Sequence, residues 1–199
     1  LTVFIDQLKR QELNLKIKNL DMSSEKVRKS VDKIKKNNTR VEYDLWGTVT
    51  GRLSTTKNSF PILTLNKELR HAVIPSNDIL IELDFNSAEL RVLFGLLGSS
   101  QPTTDIHSWI NKNIFDSKYD REETKKKVFS WLYNPNAKNK KLNNYLQRDK
   151  ILHKYYSNGT IRTPFDRTIE VDPTKALNYL IQSTASDLFL TNVLKVNDI

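Results

Sequence analysis

The sequence predicts a helix-rich α+β fold, because it contains two kinds of segment. Apolar residues recur at helical spacing, as in Ala88, Val92 and Leu96, and a last helix is expected from Pro173 onward. A short apolar run over residues 79–83 has the length of a buried strand, and Asn158-Gly159 marks a turn that can join two strands. We therefore expect helices packed around a small sheet.

Composition limits the class of protein. The 199 residues are 38% hydrophobic, which is enough for one large domain or two small ones. The net charge of +9 favours a polyanionic partner without identifying it, since a basic surface also serves solubility. The absence of cysteine excludes disulfides and thiolate zinc sites, and three scattered histidines argue against a histidine-rich metal site. No membrane span or signal peptide is visible, so an intracellular, soluble protein is expected.

Asp84 follows the expected strand and precedes the expected helix, where a buried scaffold delivers a carboxylate to a cleft. Acidic side chains are rarely buried without a partner, so Asp84 is expected to face a cation or water. The other interpretation is that Asp84 caps the following helix. The local pattern alone does not separate these two interpretations.

A second pattern lies in the segment from residue 121 to residue 133. Arg121, Lys125, Phe129 and Tyr133 follow one another at intervals of four, which places them in one stripe along a helix. The stripe runs from two cations to two aromatic rings over roughly 18 Å, a polarity that suits a nucleoside triphosphate. The alternative is the solvated face of a basic helix.

Other candidates are weaker when taken singly. Arg52 follows a glycine in a loop, where a forked donor suits a phosphate or a base edge. His107 alone is more often a structural histidine than a functional one. Asn178 and Gln182 lie four residues apart on the last helix, where amides either read base edges or tie a buried backbone. The lysine-rich residues 1–40 suit either a solvated helical hairpin or an arm that touches DNA.

Together, six motifs in the same order resemble those of family A DNA polymerases, the bacterial polymerase I type. The resemblance runs from about residue 40 to the end of the sequence, and six ordered matches are hard to obtain by chance. The motifs are Thr50-Gly51-Arg52-Leu53-Ser54, Asp84-Phe85-Asn86-Ser87-Ala88-Glu89-Leu90-Arg91 (similar to motif A), Asp105-Ile106-His107, Arg121 with Lys125, Phe129 and Tyr133 (similar to motif B), Thr163 through Arg167, and Asn178 with Ile181 through Asp187.

The resemblance implies a right-hand polymerase palm and fingers, with a small, mostly antiparallel sheet. Residues 1–40 would form a basic helical segment, and residues 41–104 the part of the palm that carries motif A. Residues 105–160 would form the fingers, and residues 161–199 would return toward the palm. The implied function is DNA-templated DNA synthesis, with primer–template DNA and dNTPs as partners.

Residue roles follow from the same resemblance. Arg121 and Lys125 would act as catalytic cations on the triphosphate, with His107 beside them. Phe129 would pack on the nucleotide, and Tyr133 would stack near the templating base.

The resemblance also implies roles in nucleotide selection and DNA contact. Glu89 would fill the space that a ribose 2′-hydroxyl needs, and so select deoxynucleotides. Arg52 and Gln182 would monitor the new base pair and the primer end, with Asn178 nearby. Arg167 is a further candidate for DNA contact.

Two magnesium ions are the implied cofactors. Asp84 would bind both ions, and Phe85 would add its backbone carbonyl oxygen to one of them. The histidine–aspartate hairpin that supplies the second carboxylate in the family, motif C, cannot be found, and Asp198 is rejected because it continues the last helix. We therefore expect a fragment of a longer polymerase that does not extend a primer by itself.

Departures from the family pattern keep other interpretations open. Asn134 and Asp166 stand where the family has glycine, and Thr174 stands where it has arginine. A single-subunit RNA polymerase relative is one alternative, although Glu89 argues against it. A non-catalytic DNA-binding module derived from a polymerase is the other, although retention of Asp84 with the cations of the stripe argues against that.

Overall fold

The computed structural model describes residues 2–9, 14–15, 22–36, 39–75, 79 and 81–197. The chain divides into two compact units, one formed by Leu1–Leu83 with Asn192–Ile199 and the other by Asp84–Thr191. The predicted division into palm and fingers segments stays a prediction. No helix among the described residues is both long enough and apolar enough to cross a membrane.

The first unit combines short helices with two small antiparallel pairs of strands. Its elements are α1 (Thr2–Lys9), β1 (Asn14–Leu15), α2 (Glu25–Lys36), β2 (Tyr43–Asp44), β3 (Ser54–Thr55), two 3₁₀ helices (Ile62–Thr64 and Lys67–Ala72) and β4 (Val73–Ile74). Strand β1 pairs with β4, and β2 pairs with β3. The core of the unit packs the apolar face of α2 against the chain that follows, through Val27, Val31, Ile34, Val41, Phe60, Leu65, Leu69 and Ala72.

The second unit packs helices around a three-stranded antiparallel sheet. Its elements are α3 (Ala88–Leu97), α4 (Ile106–Ile114), α5 (Arg121–Tyr133), α6 (Lys140–Leu146), α7 (Arg148–Tyr155), β5 (Tyr156–Ser157), β6 (Thr160–Arg162), β7 (Thr168–Glu170) and α8 (Pro173–Asn197), whose last residues belong to the first unit. The strand order is β5-β6-β7. Helices α3 to α8 and strands β6 and β7 all contribute buried apolar side chains to one core.

Local signals account for the turns of this sheet. Asn158 and Gly159 both have positive φ angles, of 50° and 76°, as a two-residue hairpin turn between β5 and β6 requires. In the next turn Asp166 has a φ of 61°, a left-handed conformation that glycine usually occupies. The Asp166 carboxylate accepts hydrogen bonds from the Arg162 guanidinium at 2.9 and 3.1 Å. Asp166 therefore adopts a left-handed backbone conformation without being glycine.

The helix-rich α+β class with small antiparallel sheets is confirmed. Helix α5 has the predicted bounds, and Asp172 accepts a hydrogen bond from the backbone N–H of Thr174 at 2.8 Å, at the start of α8.

The strand predicted over residues 79–83 is wrong for the part of it that is described. Ile79, Ile81 and Leu83 are exposed by 71%, 72% and 68%, and none of them lies in a strand. A strand needs a hydrogen-bonded neighbour, and no described strand pairs with this segment. The capping interpretation of Asp84 is also wrong, because α3 begins at Ala88 with Ser87 as its N-cap residue.

Candidate functional site

Helix α5 presents the predicted stripe to solvent because its other face is apolar. Its start is specified locally by a capping box: Asp120 accepts a hydrogen bond from the backbone N–H of Glu123 at 2.7 Å, and Glu123 accepts one from that of Asp120 at 3.3 Å. Thr124, Val128, Trp131 and Leu132 are buried on the inner face. The stripe of Arg121, Lys125, Phe129 and Tyr133 is therefore left exposed or half-buried.

The aromatic end of the stripe joins residues from three helices. The rings of Phe129 and Tyr133 are stacked, with centroids 5.7 Å apart and an angle of 5° between their planes. The Tyr133 hydroxyl donates a hydrogen bond to the carboxylate of Glu89 on α3, 44 residues earlier in the sequence. The His107 ring on α4 lies 5.9 Å from that of Phe129. Four predicted nucleotide-binding residues therefore lie close together in the fold.

The cationic end of the stripe is already engaged with acidic groups. Arg121 donates to Asp105 from Nε at 3.2 Å and from Nη2 at 3.0 Å, and to Glu122 from Nη1 at 2.6 Å. Burial opposes the ionisation of Asp105, but hydrogen bonds from Arg121 and Ser108 outweigh it and lower its pKa to about 2. Lys125 is exposed, and within the described residues no ion pair or hydrogen bond engages its ammonium group.

His107 lies beneath the Phe129 ring rather than at the surface. The residue is 2% exposed, and its Nδ1 has no hydrogen-bond partner among the described residues. Burial lowers the pKa of His107; the neighbouring charges of Arg121 and Lys125 lower it further, whereas that of Asp105 raises it. His107 is therefore a neutral imidazole at pH 7, able to hydrogen bond but not to contribute a positive charge.

Asp84 and Phe85, the predicted metal ligands, lie on an exposed loop before α3. No hydrogen bond or ion pair to the Asp84 carboxylate occurs in the described part of the chain. Phe85 is 41% exposed, and its ring meets that of Phe189 on α8 edge to face, with centroids 6.5 Å apart. The described residues contain no group of three or more histidine, aspartate or glutamate side chains that could hold a metal ion. They therefore do not complete a site for two magnesium ions.

The predicted DNA-contacting residues lie on separate elements. Arg52 is exposed in the loop between β2 and β3 of the first unit. Arg167 donates to Asp187 from Nε at 3.1 Å and from Nη2 at 2.6 Å, with both side chains largely buried. Asn178 and Gln182 are half-buried on α8, and Asn178 Oδ1 has no partner among the described residues. The bidentate pair commits much of the Arg167 guanidinium to holding the turn after β6 against α8.

Arg148 is a structural residue that the sequence did not single out. Its guanidinium lies 4.4 Å from the centre of the Trp131 ring and donates to the backbone carbonyls of Trp131 and Pro135 at the end of α5. Burial lowers the pKa of Arg148. Arg148 and Asn178 line a cavity of about 410 Å³ beside the end of α5. Nothing distinguishes Arg148 from the other cations of its basic segment in the sequence.

Comparison with known proteins does not assign the chain to a family. No protein-family model matches the sequence, and no curated protein matches it significantly.

Proposed function

We propose that this chain is part of a DNA-templated DNA polymerase of the family A type, and that α5 binds the incoming deoxynucleoside triphosphate. The observation that supports the proposal is the cluster formed by Glu89, Phe129 and Tyr133, with His107 packed beneath the Phe129 ring. These four residues come from three separate sequence motifs, yet they lie together at one end of the stripe. A chance resemblance of scattered motifs would not require them to meet.

The cationic end of the stripe fits the phosphates. The guanidinium of Arg121 is a forked donor that can bind two phosphate oxygens at once, and the ammonium of Lys125 supplies a compact charge one turn away. In the structure described, Arg121 is bound to Asp105 and Glu122. A triphosphate has to compete with these two carboxylates, which would then favour release of the pyrophosphate formed in the reaction. Phosphoryl transfer depends chiefly on such positioning and charge neutralisation.

The aromatic end fits the nucleoside. The stacked rings of Phe129 and Tyr133 offer a flat surface to the sugar and base. The hydrogen bond from Tyr133 holds the Glu89 carboxylate at the edge of that surface. A carboxylate in this place would exclude a ribose 2′-hydroxyl, so a DNA polymerase is favoured over an RNA polymerase.

The two magnesium ions would supply activation of the primer hydroxyl and neutralisation of the leaving pyrophosphate. Asp84 and the carbonyl oxygen of Phe85 would be ligands on the resemblance alone. Because the described residues do not complete a two-ion site, the proposal includes no reaction step that depends on the ions. We propose nucleotide and DNA binding for this chain, and no primer extension by it alone.

Nucleotide affinity tests the proposal. Binding of a fluorescent dATP analogue to the 199-residue chain is measured by fluorescence anisotropy. Replacing Lys125 with alanine should raise the Kd about 10-fold or more, since hydrogen bonds to charged groups contribute about 1.5 to 3 kcal/mol. Arg121→Ala should have a similar effect.

Lys126→Ala is the matched control, because Lys126 is exposed on the same helix but lies outside the stripe. Its Kd should stay within about 2-fold of the unmodified chain, since only a diffuse charge is lost. Equal losses for Lys125→Ala and Lys126→Ala would indicate non-specific attraction and contradict the proposal.

A further inference from the structure

Trp46 is the most exposed large apolar side chain among the described residues, at 83%. It lies in the loop of residues 45–53 that joins β2 to β3. Tryptophan has the largest side chain in proteins, and it is highly buried on average. An almost fully exposed tryptophan in a short loop therefore indicates a binding role.

The loop that carries Trp46 has a defined shape. The backbone N–H of Trp46 donates to Asp44 Oδ1 at 2.9 Å, and the Thr48 hydroxyl donates to the backbone carbonyl of Arg52 at 2.8 Å. A side chain at Gly47 would place Cβ 2.1 Å from Ser54 Oγ and 2.8 Å from Asp44 Oδ2, so these two side chains would have to move to admit one. The exposure of Trp46 thus comes from a loop whose backbone is held on both sides of the ring.

The charges near Trp46 in the sequence favour a polyanion. Arg52 is exposed in the same loop, and Lys57 is exposed just after β3. Neither cation has an ion pair within the described residues. The one acidic residue beside Trp46 in sequence, Asp44, is engaged by the backbone of the loop. An exposed aromatic ring in a loop that also carries an exposed, unpaired arginine suits nucleic acid, because bases stack on the ring while the cation meets a phosphate.

We propose that Trp46 stacks on the exposed face of a nucleobase in primer–template DNA and so positions the DNA on the first unit. This inference rests on the proposed function, since it takes DNA as the partner. Stacking adds apolar contact area without neutralising charge. Trp46 and Arg52 therefore contribute to affinity in two physically separable ways.

The test is fluorescence anisotropy of a labelled primer–template with a single-stranded template overhang, measured with the 199-residue chain at several salt concentrations. Trp46→Ala should raise the Kd about 10-fold, whereas Trp46→Phe should stay within about 3-fold because the ring still stacks. The slope of log K against log salt should be unchanged in Trp46→Ala. In Arg52→Ala the slope should become shallower by about 1, since one phosphate contact is lost.

Val49→Ala is the matched control, because Val49 is 61% exposed in the same loop and cannot stack. Its Kd should equal that of the unmodified chain. The thermal unfolding temperature of Trp46→Ala should also equal that of the unmodified chain, since the exposed Trp46 ring covers little of the core.

The other outcomes would contradict DNA binding, the role of Trp46, or stacking as its cause. If the unmodified chain does not bind the primer–template, both the DNA-binding part of the proposed function and this inference fail. If it binds and Trp46→Ala binds equally well, only the role of Trp46 fails. Equal losses in Trp46→Ala and Val49→Ala, or in Trp46→Ala and Trp46→Phe, would contradict stacking as the cause, as would a changed salt slope in Trp46→Ala.

Discussion

Helix α5 and the segment of residues 81–85 were both predicted to carry site residues, but only α5 adopts the predicted secondary structure. In α5 the predicted helix forms, and Phe129 and Tyr133 meet partners from α3 and α4. In the segment of residues 81–85 no strand forms, and the Asp84 carboxylate makes no hydrogen bond or ion pair with a described group. The two regions have similarly specific motifs in the sequence.

The difference arises from where each element finds its hydrogen bonds. A helix satisfies its backbone internally, so α5 needs only a capped start and a buried face. A strand satisfies its backbone through a neighbour, and the described chain offers none to residues 81–83. The structure around a motif on a helix can therefore be predicted from one segment of the sequence. The structure around a motif on a strand depends also on the segment that pairs with it.

The largest effect should come from removing the buried anchor of α5. Trp131 is 1% exposed, donates its indole N–H to Asn143 and stacks with Arg148, so Trp131→Ala should cost about 3 to 5 kcal/mol of unfolding free energy. Leu83→Ala, in the exposed segment, should change it by less than about 0.5 kcal/mol. Urea unfolding followed by circular dichroism measures both. A large loss of unfolding free energy in Leu83→Ala would show that residues 81–85 are packed, and would contradict the difference between this segment and α5.

A moderate effect should appear at the cationic end of α5 at low pH. The folded pKa of Asp105 is about 2, below the value of about 3.9 expected in the unfolded chain. The stabilisation is therefore complete above about pH 4 and is lost as the pH falls through 2. Because Arg121 is 48% exposed, solvent screening limits the loss to about 1 kcal/mol.

Asp105→Asn tests this pH dependence, since asparagine can still cap α4 but cannot ionise. Unfolding free energies at pH 6, 4 and 2.5 should fall more steeply in the unmodified chain than in the variant. Parallel pH profiles would show that the Asp105–Arg121 pair contributes nothing to stability.

The smallest effect should come from the hydrogen bond between Tyr133 and Glu89. Tyr133→Phe removes the donor and leaves the stacked ring, so its cost should be about 0.5 kcal/mol in this exposed setting. A double-mutant cycle with Glu89→Ala, followed by urea unfolding, should give a coupling energy of similar size. A coupling energy of zero would show that α3 and α5 do not meet at this point in solution.

Prediction from the sequence was best where the signal is local. The bounds of α5, the start of α8 at Pro173 and the hairpin turn at Asn158-Gly159 all depend on residues a few positions apart. The strand predicted before Asp84 is wrong for the part that is described, because a strand needs a pairing partner that the local sequence does not specify. The contact between Glu89 and Tyr133 could not be derived from local pattern, because it joins residues 44 positions apart. Arg148 was missed for the same reason, since its role depends on the Trp131 ring and two carbonyl groups.

The sequence by itself determined the helices around Ala88, from Arg121 and from Pro173, the turn at Asn158-Gly159, the basic charge and the stripe of cations and aromatic rings on α5. These features follow from side-chain spacing, capping residues and turn residues, which act over a few positions. Only the tertiary structure decided that His107 is buried and neutral, that Arg121 is held by Asp105, and that Arg167 is paired with Asp187. It also decided that Asp84 is exposed rather than placed at the end of a buried strand. Burial and pairing depend on which segments meet in space, and that is set by the packing of the whole core.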